Sequence, residues 1–139
     1  MRAERMIEYV RAQGWGVLST VGPEGSPHSA FLELTATDAG ELVCNARSGS
    51  RKIADLGRDD RVSVVIGGLD GTTLQVEGVA DSPAGGDQER CTAAYLAAFP
   101  QYAASFDDPG VVLVRVIPNW ARHGDYRERP AAIESVDLG

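Results

Sequence analysis

The sequence predicts a mainly β domain, an antiparallel barrel or sandwich of six strands with few helices. Three observations predict it: six short runs of alternating or β-branched apolar residues, turn-forming clusters of Gly, Pro, Asp and Ser, and just one long helical pattern. Closing such a sheet removes exposed edges, which is why a barrel or sandwich is expected over an open sheet. At 139 residues, with 43% hydrophobic and 24% charged, the chain reads as a single domain, 1–139. A domain of this length buries roughly two-thirds of its unfolded surface and holds a core without staples.

The elements follow in order. Ala3, Met6, Ile7 and Val10 share one helical face and Gly14 is a C-terminal stop, so a short helix is expected over 2–13. The barrel is expected over about 15–117. Its first strand is Trp15–Val21, and Gly22, Pro23, Gly25 and Pro27 make the reversal after it. Over 29–36 the chain alternates, with Ala30, Leu32, Leu34 and Ala36 on one face. A third strand spans 41–46, and Ser50 reads as the N-cap of a short helix ending near Gly57. Runs 61–66 and 72–81, joined by a Gly-rich turn, read as a hairpin. Cys91, Ala94, Tyr95, Ala98 and Phe99 mark the long helix, which Pro100 ends. The last strand is expected over 111–117, with Pro118 opening a polar and aromatic tail, 118–139.

Composition narrows function. With 13 Lys and Arg against 20 Asp and Glu, the net charge of -7 argues against general attraction to nucleic acid or anionic membranes. Two isolated cysteines and no His or Cys at ligand spacing argue against a disulfide scaffold and a metal site, so no metal ligands are assigned. The charged N-terminus and the lack of a long apolar run give the expectation of a reduced cytoplasmic protein. His28, at a turn exit after Pro27, reads as a solvated or hydrogen-bonded turn histidine, and His123 sits among charges. The informative segment is Arg47-Ser48-Gly49-Ser50-Arg51-Lys52. A Gly/Ser-rich strand-to-helix turn offers free N–H groups and hydroxyls, and two cations at a helix start oppose its dipole unless an anion compensates.

The succession Gly16-Val17-Leu18-Ser19-Thr20, Gly25-Ser26-Pro27-His28, Ser48 through Leu56, Arg58 through Val64 and Val76-Glu77-Gly78-Val79-Ala80 resembles the pyridoxamine 5'-phosphate oxidase-like flavoproteins, over roughly residues 5–126. The resemblance implies a six-stranded antiparallel split β-barrel of the FMN-binding type, a homodimer, and two FMN molecules at the dimer interface. It implies an FMN-dependent oxidoreductase acting on a small molecule, its substrate unassigned. Asn45 and Ala46 match the strand end that lines the flavin, and Ser50, Arg51 and Lys52 match the phosphate-binding turn. Thr73 matches a flavin-contacting position, while Trp120, and less closely Arg122, match residues contributed by the partner chain; 118–139 is thus expected to be an interface tail. No basic residue stands on the second strand, 29–35, and the C-terminal Arg/His pattern is not reproduced, which points away from vitamin B6 oxidation. Two alternatives accompany this reading: a deazaflavin-coenzyme-dependent reductase on the same barrel, and a non-catalytic flavin- or haem-binding storage or sensor protein.

Overall fold

The computed structural model describes residues 1–139. Helix α1 (Ala3–Gln13) is followed by β1 (Trp15–Val21), β2 (Pro27–Glu33), β3 (Thr35–Ala36), β4 (Leu42–Arg47), α2 (Arg51–Arg58), β5 (Arg61–Gly67), β6 (Thr72–Asp81), α3 (Gly85–Ala98), β7 (Val111–Asp125) and β8 (Ala132–Ser135). Short 3-10 segments occupy Pro23–Gly25 and Pro100–Asp107. The strands form one antiparallel sheet in the order β2-β1-β5-β6-β7-β4-β3, with β8 on the distal half of β7. The sheet curls into a half-barrel. No helix is long and apolar enough to cross a membrane.

The period of two in the sequence sets the faces. In β5 and β6, Val62, Val64, Ile66, Leu74 and Val76 point inward and are buried. They meet Leu42 and Cys44 of β4 and Val114 and Val116 of β7 in one core, which the Met6, Ile7 and Val10 face of α1 packs into. Gly14 ends α1 in the left-handed region, φ 73°, and donates to the Val10 carbonyl, as its place in the sequence predicts. On the other face of β4 and β7, α3 adds a smaller cluster of Cys91 and Tyr95 against Val43 and Leu113.

Eight strands stand where six are expected, for two local reasons. The alternation over 29–36 breaks at Leu34. Leu34, Thr35 and Ala36 are all buried, because there the chain leaves one edge of the sheet and joins the other as β3. The second departure is at Pro118, which does not end the last strand. It lies at a bulge: Gly78 faces Pro118 while Glu77 faces Trp120, leaving Asn119 as the extra residue. A bulge tolerates a residue without an N–H. A Cβ on Gly78 would collide with the Ile117 carbonyl oxygen, so the close approach depends on glycine there. The expected tail of 118–139 is therefore corrected: its first part is β7, paired along β6, and it returns as β8.

Glu41 anchors α3 to the sheet. Its carboxylate, nearly buried, accepts from Arg90 at 2.6 and 3.0 Å, from Arg115 at 3.1 Å and from Thr37 at 2.7 Å. Arg90 is the main cause that holds its pKa down at about 2, against the opposing effect of burial. A carboxyl whose pKa is lower in the folded state adds stability above its ordinary range and loses it as pH falls toward 2. Glu41→Gln should lower stability to urea at pH 7 by on the order of 2 kcal/mol, allowing for solvent screening. It should also flatten the fall in stability between pH 5 and pH 2.5; an unchanged acid slope would contradict this role.

Candidate functional site

The two edges of the sheet, β2 and the β4–β3 side, do not hydrogen-bond to each other. A cleft opens between them. Its larger part, about 380 Å³, lies between Phe31, Leu32 and Glu33 of β2 and Asn45, Ala46 and Arg47 at the end of β4, with Tyr95 and Tyr102 also lining it. A second part, about 150 Å³, is lined by Thr20, His28, Ser29 and Arg51. Lys52 borders both.

The start of α2 carries the positive end of this cleft. Ser50 occupies the N-cap position with extended backbone, yet its hydroxyl makes no capping bond, which corrects the role expected of it. Its Oγ is buried with no hydrogen-bond partner. Such an orphan costs free energy unless a ligand satisfies it. Of the nearby cations, Arg58 is paired with Asp55 at 2.6 Å and Arg47 with Asp108 at 2.6 Å. Arg51 and Lys52 have no acidic partner. An unpartnered hydroxyl beside two uncompensated cations, at a turn whose first N–H groups lack intrahelical acceptors, suits a phosphate.

Under this turn lies a polar cluster that spacing in the sequence does not reveal. Asp55, 1% exposed, accepts from Thr20 Oγ1 at 2.7 Å and lies 2.7 Å from His28 Nδ1. Burial works to raise its pKa, but the hydrogen bonds from Thr20 and His28 and the charges of His28 and Arg58 outweigh it and hold the carboxyl below its usual range. One carboxylate thus joins β1, β2 and α2. The other end of the cleft is phenolic. Tyr102 donates to Glu33 at 2.9 Å and Asn45 donates to the Tyr95 hydroxyl at 3.4 Å. Burial pushes Tyr95 up to about 12, and the bond to Glu33 raises Tyr102, so both remain neutral donors.

The structure brings together Asn45, Ala46, Ser50, Arg51 and Lys52. It does not bring Thr73, Trp120 and Arg122 to them within one chain. Those three lie on the outer face of the sheet, where Thr73 faces Gly67 and Gly124, Trp120 faces Glu77 and Arg122 faces Gln75. β7 pairs with β4, but Ala46 faces Val112, eight residues before Trp120 along that strand, roughly 26 Å. Arg122 stacks on Trp120, its guanidinium carbon 5.6 Å from the ring centre. The same face exposes Phe31, Val65, Ile117 and Trp120. His28, Asp55, Glu33, Tyr95 and Tyr102 join the site from positions the sequence reading did not assign. Tyr95 lies on the marked face of α3, and His28 and Asp55 lie in segments that carry the family resemblance; Glu33 and Tyr102 carried no signal.

A family model described as pyridoxamine 5'-phosphate oxidase matches residues 3–123, and the chain belongs to that family. A curated relative, the 5a,11a-dehydrotetracycline/5a,11a-dehydrooxytetracycline reductase of Streptomyces rimosus, is 34% identical over 45% of this chain and 46% of that one. The chain therefore spans about half the length of the curated relative it matches. A heme-binding protein of Mycobacterium smegmatis shares the fold at a TM-score of 0.79 and 20% identity, over 96% of this chain and 57% of that one. A pyridoxamine 5'-phosphate oxidase-related, FMN-binding protein of Nostoc punctiforme does so at 0.68 and 16%, over 96% and 94%.

Proposed function

We propose that the chain is an FMN-dependent oxidoreductase that binds the FMN phosphate at Ser50, Arg51 and Lys52. The observation that carries this reading is the buried, unpartnered Ser50 Oγ beside two cations with no acidic partner. FMN supplies hydride or electron transfer when bound, so no side chain need do redox chemistry. The chain's own residues bind and orient it. Arg51 and Lys52 neutralise the phosphate, Ala46 and Asn45 line one wall of the cleft, and β2 lines the other. Tyr95, whose oxygen accepts from Asn45, has its own O–H to donate, whereas Tyr102 already donates to Glu33 and can only accept.

The site is completed by a second copy of the chain. An exposed apolar sheet face holding Phe31, Val65, Ile117 and Trp120 is a surface that monomers rarely leave bare, and a self-complementary pairing of two such faces buries it. Trp120 and Arg122 would then serve the partner's cleft.

The kinship to a dehydrotetracycline reductase supports reduction of an organic substrate as the direction of the reaction. The second reading is a reductase using a deazaflavin coenzyme, whose phosphate would use the same two cations. The visible spectrum of the purified protein, alone and after mixing with FMN, the deazaflavin or haem, separates these readings. Uptake of FMN is expected; exclusive uptake of one of the others would overturn the FMN reading.

If Arg51 grips the phosphate, Arg51→Ala removes a charge-assisted hydrogen bond of about 1.5–3 kcal/mol and weakens FMN about 10- to 100-fold. Riboflavin, without the phosphate, should lose little. Fluorescence-quenching titrations check both, and equal losses for the two ligands would refute the assignment. Val65→Asp, in the middle of the apolar face, should give a folded monomer by light scattering and circular dichroism, with weakened FMN binding and a melting temperature that no longer rises with protein concentration. A variant that stays dimeric would move the interface elsewhere.

A further inference from the structure

Resting on the phosphate site proposed above, a second feature of the small cavity assigns a role to His28. Asp55, held ionised, can only accept hydrogen bonds. The nitrogen facing it at 2.7 Å, His28 Nδ1, must therefore carry a proton. That fixes the ring's polarity and leaves Nε2 as the free nitrogen, which has no partner. The ring is also held in place. It packs so closely on Gly22 that a Cβ there would collide with Cε1 and Nε2. His28 lines the cavity together with Arg51 and Lys52, and its side chain keeps 17% of its exposure.

The charged groups around the ring come from three directions. Asp55, Arg58, Arg51 and Lys52 belong to α2, Thr20 on β1 brings a hydroxyl alone, and Glu24 in the preceding 3-10 turn is exposed to solvent. Imidazole changes charge between pH 5 and pH 8, and a neighbouring anion favours its cationic form. A phosphate monoester is mostly a dianion above its second ionisation near pH 6. With Asp55 at Nδ1 and a phosphate oxygen at Nε2, both ring nitrogens would face an acceptor.

We propose that His28 is a proton-linked ligand of the phosphate: when the dianion enters beside Arg51 and Lys52, Nε2 takes up a proton from solvent and donates it as a hydrogen bond to a phosphate oxygen. The proton comes from the buffer and stays on the ring, and no covalent bond changes. Asp55 is the positioning residue. By linkage, phosphate affinity then falls as pH rises through neutrality.

Calorimetric titration at pH 7.5, in two buffers of different ionisation heat, counts the protons. FMN binding should take up as much as one proton, and riboflavin binding none. His28→Gln should still bind FMN, several-fold more weakly, with the uptake gone and the fall in affinity between pH 6.5 and 8.5 flattened. Circular dichroism and thermal melting report whether that variant folds. Should it not, Asp55→Asn, which keeps an acceptor of the same size without its charge, should reduce the uptake. If FMN binds in an Arg51-dependent way with no proton uptake, or with uptake unchanged in the variant, His28 is a structural staple only and the phosphate site still stands. If FMN does not bind, the phosphate reading and this inference both fail.

Discussion

The feature on which the rest depends is a crossing of one residue. At Leu34 the chain leaves the β1 side of the sheet and joins β4 on the other, so the sheet curls but its two edges never pair. Unpaired edges invite aggregation unless they are covered. Here α2 and the Pro100–Asp107 segment flank the gap, and the space left between β2 and β4 is the cleft. The candidate ligand site is thus a consequence of how the barrel fails to close.

The cleft is polarised along its length. Arg51 and Lys52 stand at the α2 end, next in the chain to the unsatisfied Ser50 hydroxyl, while Glu33, Tyr102, Tyr95 and Asn45 stand at the other. That arrangement orients a ligand with one anionic end and one neutral, hydrogen-bonding end. Asp55 holds the cationic end in place, since a single buried carboxylate ties β1, β2 and α2 through Thr20, His28 and Arg58. Losing it would leave the buried Thr20 hydroxyl and the half-buried His28 Nδ1–H without their shared acceptor and would release the exposed Arg58.

Much of the fold was legible because period and punctuation act locally. Gly14 stops α1, the Gly67–Gly71 turn makes the β5–β6 hairpin, and the alternation of β6 faces its apolar residues inward. Pro118 misled because a proline looks like a strand end in sequence, whereas the bulge that accommodates it depends on Gly78, forty residues away in the chain and adjacent only in space. The break at Leu34 was hidden for a similar reason: the apolar alternation of Ala30, Leu32, Leu34 and Ala36 runs through it, and only the change of pairing partner marks the edge. In the site, the Ser50-Arg51-Lys52 turn was readable because its chemistry is contiguous. His28 and Asp55 were not, being 27 positions apart and joined by burial alone.

The central claim is that the phosphate of FMN rests on the Ser50–Lys52 turn, in a cleft completed by a second copy of the chain. A crystal structure of the protein with FMN tests it most directly. The account predicts a phosphate oxygen within about 3 Å of Ser50 Oγ, with the ring system between β2 and β4 and Trp120 of a second copy against it. FMN bound with its phosphate elsewhere, and Ser50 Oγ still without a partner, would contradict it.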